Sequence, residues 1–315
     1  MSLKNEIENF EKLNVLGTGS SGTVYLVKHK DTHSLYAMKV IKKTNSAYSN
    51  SKILTEYNIL LNSAHPFISK LFSHFQSETE IFMIMPYCAG GDFYHFLHKQ
   101  YLNCIKEEET CYYASCVLLA LEYLHSNGII YRDLKPENIL VQADGHIILT
   151  DFDLSVCTKD RVIPHIFKKP YSHTCGIVAE PNIVMNGEVG TPEYFAPEII
   201  NHKPYTCIID WWSYGVLIYE MLYGHTPFKA CDCKTIYKLI DECHIDFPHE
   251  SPLGIKLSHK VKNLIKKLLM HNPEKRLGYE GGATEIKDHP FFKHIHFQLL
   301  RSQIPPIIPI INNIL

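Results

Sequence analysis

Tyr131-Arg132-Asp133-Leu134-Lys135-Pro136-Glu137-Asn138, followed after a short apolar interval by Asp151-Phe152-Asp153, is the stretch on which the reading of this chain turns. Ile139-Leu140-Val141 reads as one strand, Asp144-Gly145 as a tight turn and 146–150 as the return strand. Such a hairpin fixes Asp133 and Asn138 at one end and Asp151 at the other. An amide and a carboxylate, Asn138 and Asp151, can hold Mg²⁺ while phosphate oxygens complete the shell. Asp133 is then free to accept a proton, and Lys135 to neutralise charge. Phosphoryl transfer asks for these parts, because positioning and electrostatics do nearly all of its catalysis.

Upstream, Leu13-Asn14-Val15-Leu16 reads as a strand, Gly17-Thr18-Gly19-Ser20-Ser21-Gly22 as a loop and 23–28 as a second strand. Glycines let backbone N–H groups approach phosphate oxygens closely. The same spacing occurs in dinucleotide folds, but those need a helix straight after the glycines. Here Thr23-Val24-Tyr25-Leu26-Val27 is β-branched and aromatic, which favours strand–glycine–strand, with Val24 over a nucleotide base. A third strand, 34–41, carries Lys39. A lysine ending an apolar strand usually snorkels to water, unless a carboxylate holds it against phosphate. Glu56 can do so, beside a helical face of Ile53, Tyr57, Leu60 and Leu61.

Ile81–Met85 reads as a buried strand ended by Pro86, and the loop 88–92 marks a boundary beyond which the pattern turns helical. Tyr113, Cys116, Val117, Ala120, Leu121 and Leu124 keep helical spacing, with Asn127-Gly128 as the stop. Residues 154–189 form a long segment with Pro164, Pro170, Pro181 and Lys168-Lys169 and no sustained period. Gly190-Thr191-Pro192-Glu193-Tyr194-Phe195-Ala196-Pro197-Glu198 closes it. Asp210-Trp211-Trp212 starts a helix that is apolar nearly all round to Tyr223, which predicts a buried central helix. Val261, Leu264, Ile265, Leu268 and Leu269 predict a further helix. Arg276 follows, and prolines keep 304–309 extended.

The chain has 315 residues, 45% hydrophobic and 20% charged, enough for two lobes around large cores. A formal net charge of -2 gives no general reason to bind nucleic acid or an anionic membrane. The first residues are too polar for a secretory signal, and no apolar run reaches the length of a membrane span. Ten cysteines without such a signal point to free thiols in a reducing compartment. Their spacings assemble no zinc site, so buried small thiols are expected.

Taken in order, the glycine loop, Lys39, Glu56, 131–138, 151–153, Ala196-Pro197-Glu198 and Arg276 resemble the known signature of the eukaryotic protein kinases. The resemblance implies an α+β, bilobal fold: a small β-rich lobe with one main helix (1–87), a larger helical lobe (88–295) carrying the 154–189 insert, and a proline-rich extension (296–315). It implies ATP and Mg²⁺ as cofactors, with ATP contacts at Leu16, Gly17, Thr18, Gly19, Ser20, Ser21, Gly22, Val24, Ala37, Lys39, Glu56, Met85 (as gatekeeper) and Asp92. Asp133 and Lys135 become catalytic, and Asn138 and Asp151 metal ligands. Glu198 with Arg276, and Asp210, look structural. Lys135-Pro136-Glu137 looks like a serine/threonine kinase. Tyr131, Gly90-Gly91-Asp92, Pro290-Phe291-Phe292 and the proline-rich end resemble the AGC group. There, carboxylates matching Asp92, Glu137 and Glu220 read arginines upstream of the target, so protein substrates with basic motifs are the expected partners.

Three departures stand out. Asp153 replaces the usual glycine and resembles the phototropin-like and fungal flippase-kinase-like branch; a side chain there is expected to strain the backbone. Gly187-Glu188 stands where the group carries a phosphorylatable residue, so Glu188 is expected to pair with Lys52 or Arg132 and make phosphorylation at that site unnecessary. The aromatic motif that ends many AGC kinases is absent, so a docked tail in cis is not expected. A cytoplasmic monomer is anticipated, with nuclear or membrane-surface recruitment through Lys168-Lys169 left open. A pseudokinase scaffold is the rival reading, and the intact Lys39, Glu56, Asp133, Asn138 and Asp151 weigh against it.

Overall fold

In the computed structural model, which describes residues 7–19, 22–43, 46–158, 160–168 and 175–311, the N-terminal strands form one antiparallel sheet. Its order is β1 (Phe10–Gly19), β2 (Gly22–His29), β3 (Leu35–Lys42), β5 (Glu80–Pro86), β4 (Ser73–Gln76), with helix α1 (Ala47–Asn62) between β3 and β4 in the chain. Strand alternation splits the apolar residues of β3 and β5 between two environments. Met38, Val40, Phe82 and Ile84 pack with Val27 and Phe75 on one side, whereas Met83 and Met85 join the main core. The glycine stretch is itself strand: β1 runs through Gly17-Thr18-Gly19, and Gly19 pairs with Gly22. Ser20 and Ser21 lie outside the described residues.

On α1 the buried side chains are Glu56, Ile59 and Leu60, while Leu61 is 49% exposed. Of the expected face, Leu60 is buried and Ile53 packs against the main core, whereas Leu61 lies outside it and Ile59 takes its place. The helix turns the rows through 53, 56 and 60 inward, together with 59, and places 61 on the flank.

Beyond Pro86, the chain forms β6 (Gly91–Asp92), α2 (Phe93–His98), α3 (Glu107–Ser126), β7 (Ile129–Ile130), the hairpin β8 (Ile139–Val141) and β9 (Ile147–Leu149), and β10 (Val156–Cys157), which pairs with β7. After the β11 (His165–Lys168) and β12 (Cys175–Val178) hairpin come the helices α4 (Pro197–Ile200), α5 (Ile208–Tyr223), α6 (Cys233–Glu242), α7 (His259–Leu268) and α8 (Gly282–Lys287). All sixteen residues of α5 are buried, as its all-round apolar pattern predicts. Gly224 ends it in the left-handed conformation, φ 72°. A strand-rich first lobe and a helix-rich second one give the α+β architecture.

The insert holds structure that its lack of period concealed. β11 and β12 pair over four residues, burying Phe167 and Val178 and exposing Ile166 and Ile177. Thr284 Oγ1 of α8 donates to Ile177 O at 3.0 Å. Lys168 is exposed, and Lys169 and Pro170 lie outside the described residues. The proline-rich run crosses the second lobe, where Tyr113 Oη donates to Ile307 O at 3.1 Å and Arg301 lies 3.5 Å from Asp144.

Candidate active site

Asp210, in the first turn of α5, fixes the stretch that opened the sequence reading. Its Oδ2 accepts from Tyr131 N and its Oδ1 from Arg132 N, each at 2.9 Å, and His125 Nε2 lies 2.8 Å from Oδ2. These bonds satisfy a carboxylate that is only 1% exposed. They also hold Arg132 at φ 69°, a conformation that a non-glycine residue adopts only when its surroundings impose it. Tyr131 Oη reaches Thr150 O at 2.5 Å, and its ring meets Phe152 edge-on. The two halves of the motif are thereby clamped together.

Asp133 lies at the centre of a small polar network. Its Oδ2 is 2.8 Å from both Lys135 Nζ and Asn138 Nδ2, and its Oδ1 accepts from Thr191 Oγ1 at 3.0 Å. Lys135 Nζ also donates to Thr191 Oγ1 at 3.0 Å. Thr191 had no role in the sequence reading; its signal was its place directly after Gly190 at the end of the insert. Gly190 itself is required: at φ 118°, a Cβ there would stand 2.7 Å from Arg132 O. Asn138 Nδ2 donates twice to Asp133, to its O and its Oδ2, which leaves the amide oxygen as the atom of this side chain able to accept.

Across the cleft, Lys39 Nζ donates to Glu56 Oε1 and Oε2 at 2.6 and 2.8 Å and lies 3.5 Å from Asp151 Oδ1. Burial alone would lower the lysine pKa, but Glu56, Asp151 and Asp153 outweigh it and hold Lys39 firmly protonated. Asp151 sits beside Asn138 because Thr150 N donates to Asn138 O at 3.0 Å. Asp151 Oδ1 is buried and makes no hydrogen bond. Apart from the Lys39 charge 3.5 Å away, Asp151 Oδ1 has no partner among the described residues, and a carboxylate with a nearby amide side chain supplies the hard oxygen donors that suit Mg²⁺.

The left-handed residue of this motif is Asp151, φ 57°, and not Asp153. The strain expected at 153 is therefore absent, and the cost of the aspartate is electrostatic. Burial and the Asp151 charge raise the Asp153 pKa, partly offset by Lys39 and Lys52.

Ala37 and Met85, each 8% exposed, are direct neighbours across β3 and β5, and Val24 pairs with both Gly17 and Lys39. Leu16 and Thr18 are exposed. A Cβ at Gly17 or Gly19 would meet nothing within 4 Å, so internal packing does not explain the glycines, whereas close approach of a ligand would. At Gly22, a Cβ would stand 2.4 Å from Val40 O. Asp92 caps α2, accepting from His95 N at 2.9 Å, with the His95 ring 2.8 Å from Oδ2. Glu137 is exposed, and Glu220 is buried under Tyr194, whose hydroxyl donates to it.

Away from the cleft, Arg276 donates to Glu198 at 2.6 and 2.8 Å and stacks on Trp212. Glu188 does not pair as expected. It accepts from Tyr237 Oη at 3.1 Å and lies 3.6 Å from His202, while Arg132 Nε donates to Leu154 O at 2.7 Å. The tether thus runs to α6 and not to the catalytic stretch.

The protein kinase domain family matches residues 10–292. Flippase kinase 1 of Saccharomyces cerevisiae is 44% identical over 97% of this chain, and phototropin-2 of Oryza sativa subsp. japonica is 40% identical over 95%. Serine/threonine-protein kinase AGC1-7 of Arabidopsis thaliana is 38% identical over 96%. The chain spans 34%, 34% and 64% of the lengths of these relatives, respectively.

Proposed function

The chain belongs to the protein kinase domain family, and on that premise we propose that it transfers the γ-phosphoryl group of ATP to serine or threonine hydroxyls of proteins carrying basic residues upstream. The observation that carries this reading is the Asp133 network facing the Lys39–Glu56–Asp151 cluster across one cleft.

Each group has a task. The hairpin of β1 and β2 would lie over the phosphates, with the base between Leu16, Val24, Ala37 and Met85 and the ribose near Asp92. Lys39, locked by Glu56, would hold the α- and β-phosphates. Asp133, kept in one rotamer by Asn138 and Thr191, would accept the substrate hydroxyl proton, and Lys135 would neutralise charge growing on the transferred group. Mg²⁺ held by Asn138 and Asp151 would neutralise phosphate charge.

A basic substrate motif is supported by the acidic surroundings of Glu220. Burial first, then the Glu137 and Glu193 charges, push its pKa up to about 7. A bound guanidinium would relieve that repulsion. We also read activity as independent of phosphorylation before Gly190. Tyr205 Oη donates to Gly187 O at 3.0 Å, Tyr237 holds Glu188, and Met185 pairs with Tyr205. A cytoplasmic monomer fits this reading; no helix among the described residues is long and apolar enough to cross a membrane.

ATP turnover on an arginine-rich peptide, compared between the parent and Asp151→Ala, tests the assignment. Turnover in the parent and its loss in the variant is the expected result; equal turnover in both sinks it. A pseudokinase scaffold predicts turnover in neither. Unphosphorylated protein that stays inactive until an upstream kinase is added would refute the phosphorylation-independent reading alone.

A further inference from the structure

Outside the cleft, three residues remote in sequence converge: His125 at the end of α3, Glu180 in the insert after β12, and Cys207 just before α5. One potential ligand atom from each lies within 4.8 Å of the others. His125 is 1% and Cys207 5% exposed, and the Glu180 side chain is 18% exposed.

The two imidazole nitrogens are in different situations. Nε2 lies 2.8 Å from Asp210 Oδ2, which can only accept, so Nε2 carries a proton. Nδ1 is buried without a hydrogen-bond partner, 3.5 Å from Glu180 Oε1. Nδ1 is thus the one ring nitrogen not committed to Asp210, and it faces the Glu180 carboxylate, with the Cys207 sulfur close by. Three potential ligand atoms from separate elements, all facing one point in the interior, form a set that a cation can share.

We propose that His125 Nδ1, the Glu180 carboxylate and Cys207 Sγ are the protein ligands of a zinc ion that ties the insert to the base of the catalytic stretch. The thiolate and imidazole select a borderline-soft ion over Mg²⁺ or Ca²⁺. A cavity of about 20 Å³ beside the cluster, lined by His125 and Glu180 though not by Cys207, has room for one water. The outer partners of such a site are in place. Asp210 orients His125, and Trp211 Nε1 donates to Glu180 Oε1 at 3.2 Å.

The test uses the full chain, stripped with a chelator, desalted and titrated with zinc alone against a chromophoric competitor. The expected result is one tightly held equivalent, weakened at least tenfold in Glu180→Gln and in Cys207→Ser. Cysteine 231 is exposed and outside the cluster, so Cys231→Ser should bind like the parent. Cobalt in place of zinc should give a thiolate-to-metal charge-transfer band that Cys207→Ser lacks. Failure to retain an equivalent, or retention undiminished in both ligand variants, overturns the proposal. If Cys207→Ser does not fold, Glu180→Gln decides alone.

Discussion

Replacing Glu220 by glutamine should stabilise the fold and at the same time weaken its grip on basic substrates. Glu220 is 8% exposed, with Tyr194 as its hydroxyl donor and the Glu137 and Glu193 charges acting on it. Its carboxyl titrates at about 7 when folded, against an ordinary value of 4.5. Below about 4.5 it is neutral in both states, so the stability linked to its folded-state proton is fully present there. It is lost as pH rises through about 7, because the folded chain must then carry a charge that burial opposes. At 1.36 kcal/mol per tenfold change in proton affinity, the loss is about 2 kcal/mol at pH 6 and about 3 kcal/mol at pH 8. Glutamine keeps the acceptor for Tyr194 and carries no charge, so it escapes this cost.

Urea unfolding of parent and Glu220→Gln at pH 6 and pH 8 reads the first half of the prediction. The variant should gain stability at both values, and more at pH 8. The second half is kinetic: KM for an arginine-containing peptide should rise in the variant, and in the parent should rise as pH falls below 7. A variant no more stable than the parent at pH 8 would refute the electrostatic argument. An unchanged KM would leave Glu220 as a structural carboxylate with no part in substrate reading. The opposed signs are what a recognition residue held at the expense of stability should produce.

Arg276→Ala leaves Glu198, 4% exposed, without its bidentate partner and frees the Ile208 and Met270 carbonyls. We expect a loss of about 3–5 kcal/mol in urea unfolding; a loss under about 1 kcal/mol would mean that the pair is hydrated or replaceable. Thr191→Ala removes the hydroxyl between Asp133 and Lys135. A hydrogen bond to a charged group is worth about 1.5–3 kcal/mol, so kcat should fall about ten- to hundred-fold in steady-state kinetics with little change in KM for ATP. Gly190→Ala pushes a Cβ against Arg132 O in a backbone region that side chains avoid. It should lower kcat and speed limited proteolysis of the 154–189 segment, whereas parent-like values for both would show that the backbone adapts without cost.

What could be read from the residues alone was local, whereas the Glu198–Arg276 pair came only with the family resemblance. Asp133, Lys135 and Asn138 lie within one turn-rich stretch, and their spacing alone sets which side chains can meet. Lys39–Glu56 needed only a strand and a helix of known phase. The limits of phase show on α1, where Ile59 and not Leu61 is buried, because one residue is 100° of helix and the apolar pattern there is nearly continuous. The Glu188 partners were missed for another reason. Tyr237 and His202 come from separate elements, α6 and the turn after α4, and no spacing relates them. Asp210 was expected from the resemblance to anchor the catalytic stretch; that it does so through the backbone N–H groups of Tyr131 and Arg132 is what no spacing marks, because every non-proline residue carries that donor.

The described residues of the 154–189 segment show why a stretch without period can still be held in place. At its start, Leu154 O accepts from Arg132, Ser155 Oγ donates to Tyr131 O at 3.3 Å, and Val156 pairs with Ile130. Midway, Glu180 meets Trp211 and His125. Towards its end, Gly187 and Glu188 are held by Tyr205 and Tyr237, and just beyond it Gly190 lies against Arg132 and Thr191 bonds Asp133. The first and last tethers, and the one through His125, reach side chains or backbone that Asp210 itself positions. Loosening the segment at any of these points should therefore be felt first at the Thr191–Asp133 bond. That bond joins the end of the insert to the proposed proton acceptor, so under the proposed phosphorylation-independent reading its integrity, more than the charge near residue 187, should set the activity.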